Sequence, residues 1–483
     1  MKTAGSMSER VNITNSVMQG TVWGSMLCTA TMDKLGRLVY ANSDLIYKYK
    51  GVVSTPSLGM VDDVLTVQKC STDVVKMNAA VNAFMEGKKL KLSDTKCHRI
   101  HVNNKKSNVK AKCPELKIHN EKMNESSQEK YLGDIIDSSG TCRKTVEERR
   151  SKGFGIVAEI LAILEDIPLG RYILQVGLML RQAMLLNGIL YNSESWHSVN
   201  EVELRILEQG DEHLLRALVK GHSKTPLEFL YLEAGVTPIR YVLASRRMMY
   251  HQVILQRDDS ELTKRIYMAQ KENTTPGDFV NLLKEDFKLI NEIQNDLTIQ
   301  MTNSISYKKQ IKIKIKEAAF KQLKERQQTH SKVKFIIYEK LEIQEYMKSP
   351  KFSNEEVNLL HKLRSRTTDC KENFKQKYIH SNLLCDLCKN ENENQQHIMK
   401  CSVILNEFKS NSLSIDKIEY EDIFSKNISK QKEITALYSH LFDTREEIVE
   451  KRNSQQMAPS PNSLELRIND NVPPCIVHLS SGK

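Results

Sequence analysis

Two groups of residues have types and spacings that could do chemistry. The first is Asp62-Asp63, set between the apolar runs Leu58-Gly59-Met60-Val61 and Val64-Leu65-Thr66-Val67. Short apolar runs around two adjacent carboxylates predict a β-hairpin with the aspartates at or beside its tip. The plainest role for such a pair is the turn itself, because Asp tolerates turn geometry. The chemical role is to hold divalent metal ions that stabilise the attacking and leaving oxygens in nucleotidyl transfer. The second group is Cys385, Cys388, His397 and Cys401, a C-x2-C-x8-H-x3-C spacing. Three thiolates and one imidazole gathered by a C-x2-C turn suit a closed tetrahedral zinc site. His397 alone would read as an ordinary surface histidine, and it is the set of four that carries the signal. The loop 389–396 between the ligands is polar, which fits ordering by the metal rather than by a core of its own.

These residues need elements to hold them. Residues 1–137 mix short apolar runs with turn residues, an α+β pattern. From Thr145 the pattern is helical: Ile156, Ile160, Leu161 and Leu164 recur at helical spacing, Gly170 interrupts, and Ile173, Val176, Leu180 and Met184 resume. Helical periodicity continues through 201–220, 239–256, 279–295 and 311–326. No internal repeat supports a solenoid. The most apolar stretch, 172–191, is broken by Gln175, Arg181, Gln182 and Asn187, which predicts a buried helix and not a bilayer span. The first fifteen residues hold no apolar signal core, so an intracellular protein, nuclear or cytoplasmic, is expected. Ten cysteines then sit in a reducing compartment, and Cys28, Cys70, Cys97, Cys113, Cys142 and Cys370 read as buried or free thiols. From Asn453 on the sequence lacks periodicity and predicts a disordered tail.

Composition narrows the partners. With 483 residues, 40% apolar and 27% charged, the chain is neither collagen-like nor wholly disordered. Its net charge of +11 favours a polyanion, and residues 301–350 alone hold twelve Lys/Arg against five Asp/Glu. Lys308, Lys309, Lys312, Lys314 and Lys316 fit no single clean helical stripe, whereas Ala318, Ala319, Phe320 and Leu323 just beyond read as helix. Either a solvated lysine-rich helix or a phosphate-contacting surface would account for the run.

Four segments in order resemble the palm of a reverse transcriptase of the non-LTR (LINE-like) retrotransposon type. Gln19-Gly20 resembles the opening of the helix that contacts template and incoming nucleotide. Met60-Val61-Asp62-Asp63 resembles the catalytic hairpin, Lys96 lies in what resembles the lysine-bearing segment after it, and Tyr131-Leu132-Gly133 resembles the primer grip. Further on, Tyr191-Asn192-Ser193-Glu194-Ser195-Trp196 and Leu232-Glu233-Ala234-Gly235-Val236-Thr237-Pro238-Ile239 resemble the thumb and connector, and the C-x2-C…H…C knuckle also occurs near the carboxyl end of such proteins.

The resemblance implies an α+β fold: a partial right-hand polymerase palm of antiparallel strands with helices, then a mostly α-helical thumb and connector, then a small zinc knuckle. The corresponding boundaries are a palm over 1–137, thumb and connector over 138–260, a basic helical linker over 261–350, a knuckle region over 351–408, a helical segment over 409–452 and a tail over 453–483. It implies an RNA template and a DNA primer as partners, Mg²⁺ on Asp62 with Asp63 beside it, Lys96 as proton donor, and Zn²⁺ in the knuckle. Two departures stand out. No aspartate precedes Asp33, so the first carboxylate of the usual two-metal site is expected to be missing, and with it the fingers and any amino-terminal endonuclease. Met60 stands where an aromatic residue is usual. Three readings follow: a polymerase, a non-catalytic remnant that binds RNA or DNA through the basic segment and knuckle, and a helical structural protein with a zinc site.

Overall fold

The computed structural model describes residues 2–3, 6–7, 22–55, 57–102, 115–118, 121–167, 172–197, 199–290, 304–378, 382–408 and 418–456. Gln19 and Gly20, Cys113 and residues 457–483 of the expected tail lie outside the described residues. The chain is mixed and helix-rich, with its strands in small pairs. Its contacts divide it into two units, Met1–Pro350 and Lys351–Lys483.

In the first unit, the helices Val22–Ala41 and Ser71–Gly87 close a small core of Leu35, Val39, Ile46, Met77 and Met85. Val64 packs on this core from the expected hairpin, in which strand Leu58–Met60 pairs antiparallel with Asp63–Leu65 and Met60 faces Asp63. Val61 and Asp62 therefore form the turn, with Val61 at φ 58, unusual for a β-branched residue. A second hairpin pairs Gln128–Tyr131 with Asp134–Asp137 around Leu132 (φ 47) and Gly133 (φ 92). Positive φ at both central residues is the twist that matches two-residue hairpins. The two hairpins meet through a side chain: the Tyr131 hydroxyl donates to the Leu58 carbonyl at 3.0 Å. Among the described residues every strand stays in a two-stranded pair, so the wider palm sheet implied by the resemblance is not formed there.

Helix Arg143–Asp166 packs along Glu201–Leu218 and carries Arg149, which clamps the second hairpin. Arg149 donates to the Gly133 carbonyl at 2.6 Å and to Asp134 at 3.1 Å. Trp196 Nε1 reaches the same Asp134 oxygen at 3.2 Å, and Asn192 donates to the Leu132 carbonyl at 3.1 Å. A Cβ at Gly133 would lie 3.0 Å from the Tyr191 ring, so this turn needs glycine both for its φ and for the room.

The apolar stretch 172–191 is buried along one face only, with Leu174, Leu185, Leu186, Ile189 and Leu190 inside and Tyr172, Met179 and Tyr191 exposed, and no helix among the described residues is long and apolar enough to cross a membrane. Arg181, which reads as an interruption in the sequence, is itself buried at a π-helical turn, where it makes two bonds to Asp211, at 2.5 and 2.7 Å. Tyr231 donates to the same carboxylate at 3.1 Å. A planar guanidinium matched to a carboxylate is the arrangement that makes a buried charge tolerable.

Residues 304–328 form one helix, packed on the helices Leu227–Ala234 and Ile239–Gln256. Tyr307, Ile311, Ile315, Ala319, Leu323 and Gln327 are buried in an unbroken i, i+4 row. Each such step turns about 40° around a helix of 3.6 residues per turn, so the buried ridge winds instead of running straight. That is why the lysines beside it fit no clean stripe in the sequence although the segment is helical throughout.

The second unit joins helix Asn354–Ser365, the short helices Gln395–Lys400 and Ser402–Glu407, and helix Ile428–Gln456. Leu360, Leu363, Ile398, Ile404, Ile434, Leu437, Tyr438 and Leu441 are buried within it. Residues 453–456, expected in the tail, complete its last helix.

Candidate metal centre

The knuckle begins with a chain reversal. The Cys385 amide donates to the Glu391 carbonyl at 2.8 Å, the Lys389 amide donates to the Cys385 carbonyl at 2.9 Å, and Lys389 takes φ 60. Leu384 and Asn392 bridge the two arms, so the polar loop is a small closed hairpin. Asn394 then caps the helix Gln395–Lys400, its side chain accepting from the His397 amide at 2.9 Å. This cap turns His397 toward the cysteines, and Cys401 follows at the helix end. Cys385, His397 and Cys401 are buried, and Cys388 is half-buried.

The four donor atoms lie within 4.8 Å of one another. A tetrahedral zinc site with ligands about 2.3 Å from the ion spaces its donors about 3.7 Å apart, so small movements bring this set to that geometry. Three soft thiolates and an imidazole select zinc over the hard cations Mg²⁺ and Ca²⁺. All four positions are protein atoms, which is the composition of a structural rather than a catalytic site. The cluster could thus hold a metal such as zinc, as its spacing in the sequence predicts.

Local electrostatics separate the thiols. Burial pushes Cys385 up to about 11, against the backbone amides of Cys388 and Leu387. At Cys388 burial acts in the same direction, but the amides of Asn390 and Glu391, with the neighbouring Cys385 and Cys401, outweigh it and bring the thiol down to about 7. Backbone N–H groups aimed at sulfur are what a knuckle turn supplies.

Sequence reasoning missed the supporting residues. Glu391 faces His397 Nδ1 at 3.2 Å and fixes the tautomer that leaves Nε2 toward Cys388, 3.3 Å away. Lys371 pairs with Asp386 at 2.8 Å and donates to the Leu384 carbonyl, and Arg452 on the last helix donates to the Leu387 carbonyl at 3.3 Å. Buried Glu393 pairs with Arg445 at 2.8 Å. Only Asn394, three residues before His397, left a readable local signal, that of an N-cap. Replacing Glu391 with Ala is expected to weaken zinc binding about tenfold, the low end for such partners because the Glu391 side chain is 71% exposed. Competition with a chromophoric chelator measures it, and unchanged affinity would remove Glu391 from the site.

The remaining candidates fall into two groups. Asp62 and Asp63 are exposed at the hairpin tip, and Tyr131 stands against that hairpin. Burial, and after it the charge of Asp63, raises the Tyr131 hydroxyl above its ordinary value. Among the described residues no third carboxylate joins the aspartates in a metal-holding group, so the Mg²⁺ expectation finds no support. Lys96 is exposed in the turn 93–97, and its side chain makes no hydrogen bond or ion pair with either aspartate among the described residues. Lys308, Lys309, Lys312 and Lys316 are exposed on the helix Ser304–Gln328, and Lys314 is half-buried. Of the other cysteines, Cys142 and Cys370 are buried, Cys28 and Cys97 half-buried and Cys70 exposed, and each is a free thiol. Burial pushes both Cys142 and Cys370 up to about 12, which keeps them unreactive. No family model matches the sequence and no curated protein matches it significantly, so the site is defined by its own donor set, three thiols and an imidazole that could hold a metal such as zinc.

Proposed function

We propose that the chain is a reverse-transcriptase-derived, nucleic-acid-binding protein of the non-LTR retrotransposon type, with a partial palm, a helical thumb and connector, and a zinc-bearing end. The observation that carries this reading is the bond from the Tyr131 hydroxyl to the Leu58 carbonyl. It links two hairpins 73 residues apart, the pair that a polymerase would need side by side at the primer end. The clamp of Arg149, Asn192 and Trp196 on the second hairpin supports the reading too, because it ties the primer-grip-like turn to the thumb-like segment.

RNA template and DNA primer are the partners this reading expects. Binding, and not synthesis, is the activity expected of this chain. Among the described residues no further acid joins Asp62 and Asp63 in a metal-holding group, and a site short of one stabilising group loses about 3 kcal/mol or more, roughly a hundredfold in rate. Primer extension with Mg²⁺ on an RNA template tests this, with Asp62→Ala as control. Tight, salt-sensitive binding of the primer–template with no extension is expected. Template-dependent synthesis lost in Asp62→Ala would show instead a working polymerase, and affinity indifferent to salt would leave the helical structural reading in place.

A further inference from the structure

We propose that the outer ridge of the helix Ser304–Gln328, together with the loop 329–340 after it, is a binding track for unpaired RNA, in which lysines contact phosphates and Phe335 stacks on a base. This rests on the nucleic-acid reading above and names the form of nucleic acid that this surface takes.

The geometry points to a track rather than a diffuse charge. Beside the buried ridge runs a second i, i+4 row, Lys308-Lys312-Lys316-Phe320-Lys324. Its first three lysines are exposed, and successive members of such a row stand about 6 Å apart. Lys324 Nζ lies 5.2 Å from the Phe320 ring centroid, so the row ends in a cation held over an aromatic face. Only Glu317 and Glu325 carry negative charge on this helix. The neighbouring ridge is buried, so the helix is fixed and its lysines do not have to be ordered from a flexible segment.

The loop is fixed as well. The Gln327 side chain, buried at the helix end, donates to the Val333 carbonyl at 2.6 Å and to the Ile336 carbonyl at 2.8 Å. Val333, Ile336 and Tyr338 point inward and are almost fully buried, which turns Phe335 (50% exposed) and Ile337 (78% exposed) outward. Lys334 Nζ sits 5.3 Å from the Phe335 ring centroid. Exposed rings among lysines are the elements of single-strand recognition, in which bases stack and phosphates pair with cations. An acidic membrane would also attract lysines, but interfacial helices bury a continuous apolar face in lipid. Here Tyr307, Ile311, Ile315 and Leu323 are buried in the protein core, and among the described residues of the helix Ile313 is the large apolar side chain left exposed, which makes no continuous apolar face.

The test uses the full chain, a fluorescein-labelled unstructured oligoribonucleotide, the matching duplex, and phosphatidylserine vesicles. For the wild type, the single strand binds more tightly than the duplex. Replacing Lys308, Lys312 and Lys316 together with Gln lowers the slope of log K against log salt by about 2, close to 0.7 for each phosphate left without its lysine. Phe335→Ala weakens binding about tenfold and leaves that slope unchanged, while Phe335→Tyr keeps wild-type affinity. Thermal melts of each variant show that the fold is kept, as exposed positions allow. If the wild type binds RNA with a salt slope but every variant matches it, the track is wrong and the nucleic-acid reading survives. If the wild type binds no RNA, both fail. Equal affinity for the duplex overturns stacking, and variants that lose vesicle binding but not RNA binding assign the surface to a membrane.

Discussion

Stripping the metal from the Lys351–Lys483 unit is expected to unfold that unit. Its ligands come from three pieces, the Cys385–Cys388 turn, the His397 helix and Cys401, of which Lys371 and Arg452 hold the first. The loop 389–396 between the ligands is polar, and without a metal the thiols and the imidazole have only weak mutual contacts. Structural zinc in comparable small sites contributes on the order of 10 kcal/mol. A domain of this size has a net stability of about 5–15 kcal/mol, so loss of the ion removes most or all of it. A strong chelator, or Cys385→Ser, should lower the melting temperature of the unit by more than about 10 °C and release one zinc per chain. The core around Arg181 and Asp211 holds none of these four donors and should keep its transition. Calorimetry with metal analysis reads both. A melting profile indifferent to chelation, or a zinc content near zero in protein purified without chelator, would mean that the cluster is a set of ordinary thiols.

The second large effect is expected at Gly235. It ends the helix Leu227–Ala234 in the left-handed region, at φ +64, and the chain Glu342–Ile343 passes directly over it. A Cβ there would lie 2.2 Å from Glu342 C and from Ile343 N, both backbone atoms. Neither can rotate away. The chains are joined beside the contact, by the Ala234–Ile343 bridge and by the Gln344 amide donating to the Glu233 carbonyl at 3.0 Å. The Glu233 side chain, fully buried, accepts from the hydroxyls of Tyr338 and Tyr346 at 2.5 Å each. Gly235→Ala should therefore cost about 5 kcal/mol or more, at the upper end for a point substitution. Gly51→Ala is the control: Gly51 has φ +78 with nothing within 4 Å, so only the conformational cost of about 1–2 kcal/mol applies. Urea unfolding of both variants separates clash from conformation. Equal losses would show that the backbone of Glu342–Ile343 does not approach so closely.

The candidate metal ligands were legible because such a cluster is local. Cys385, Cys388, His397 and Cys401 lie within 17 positions, and each spacing follows from a turn, a loop or a helix step that the sequence itself encodes. The Asp62-Asp63 hairpin was legible for the same reason, as two short apolar runs around a turn. The helical character of the region beyond Thr145 followed from periodicity. The lysine segment was only half legible. A straight-stripe reading fails for a helix whose buried ridge winds by i, i+4 steps against two neighbours, because the direction of burial then depends on what it packs against.

By itself, then, the sequence determined the local chemistry: a three-thiol, one-imidazole set, a carboxylate-bearing turn and an excess of lysine in one segment. Tertiary structure decided which of these stand together. Tyr131 reaches Leu58 across 73 residues, Arg181 finds Asp211 across 30, and Glu233 gathers Tyr338 and Tyr346 across 105 and 113. Such contacts carry no local pattern. A buried arginine looks like a solvated one until the carboxylate that offsets its desolvation is brought beside it, and only the folded chain does that.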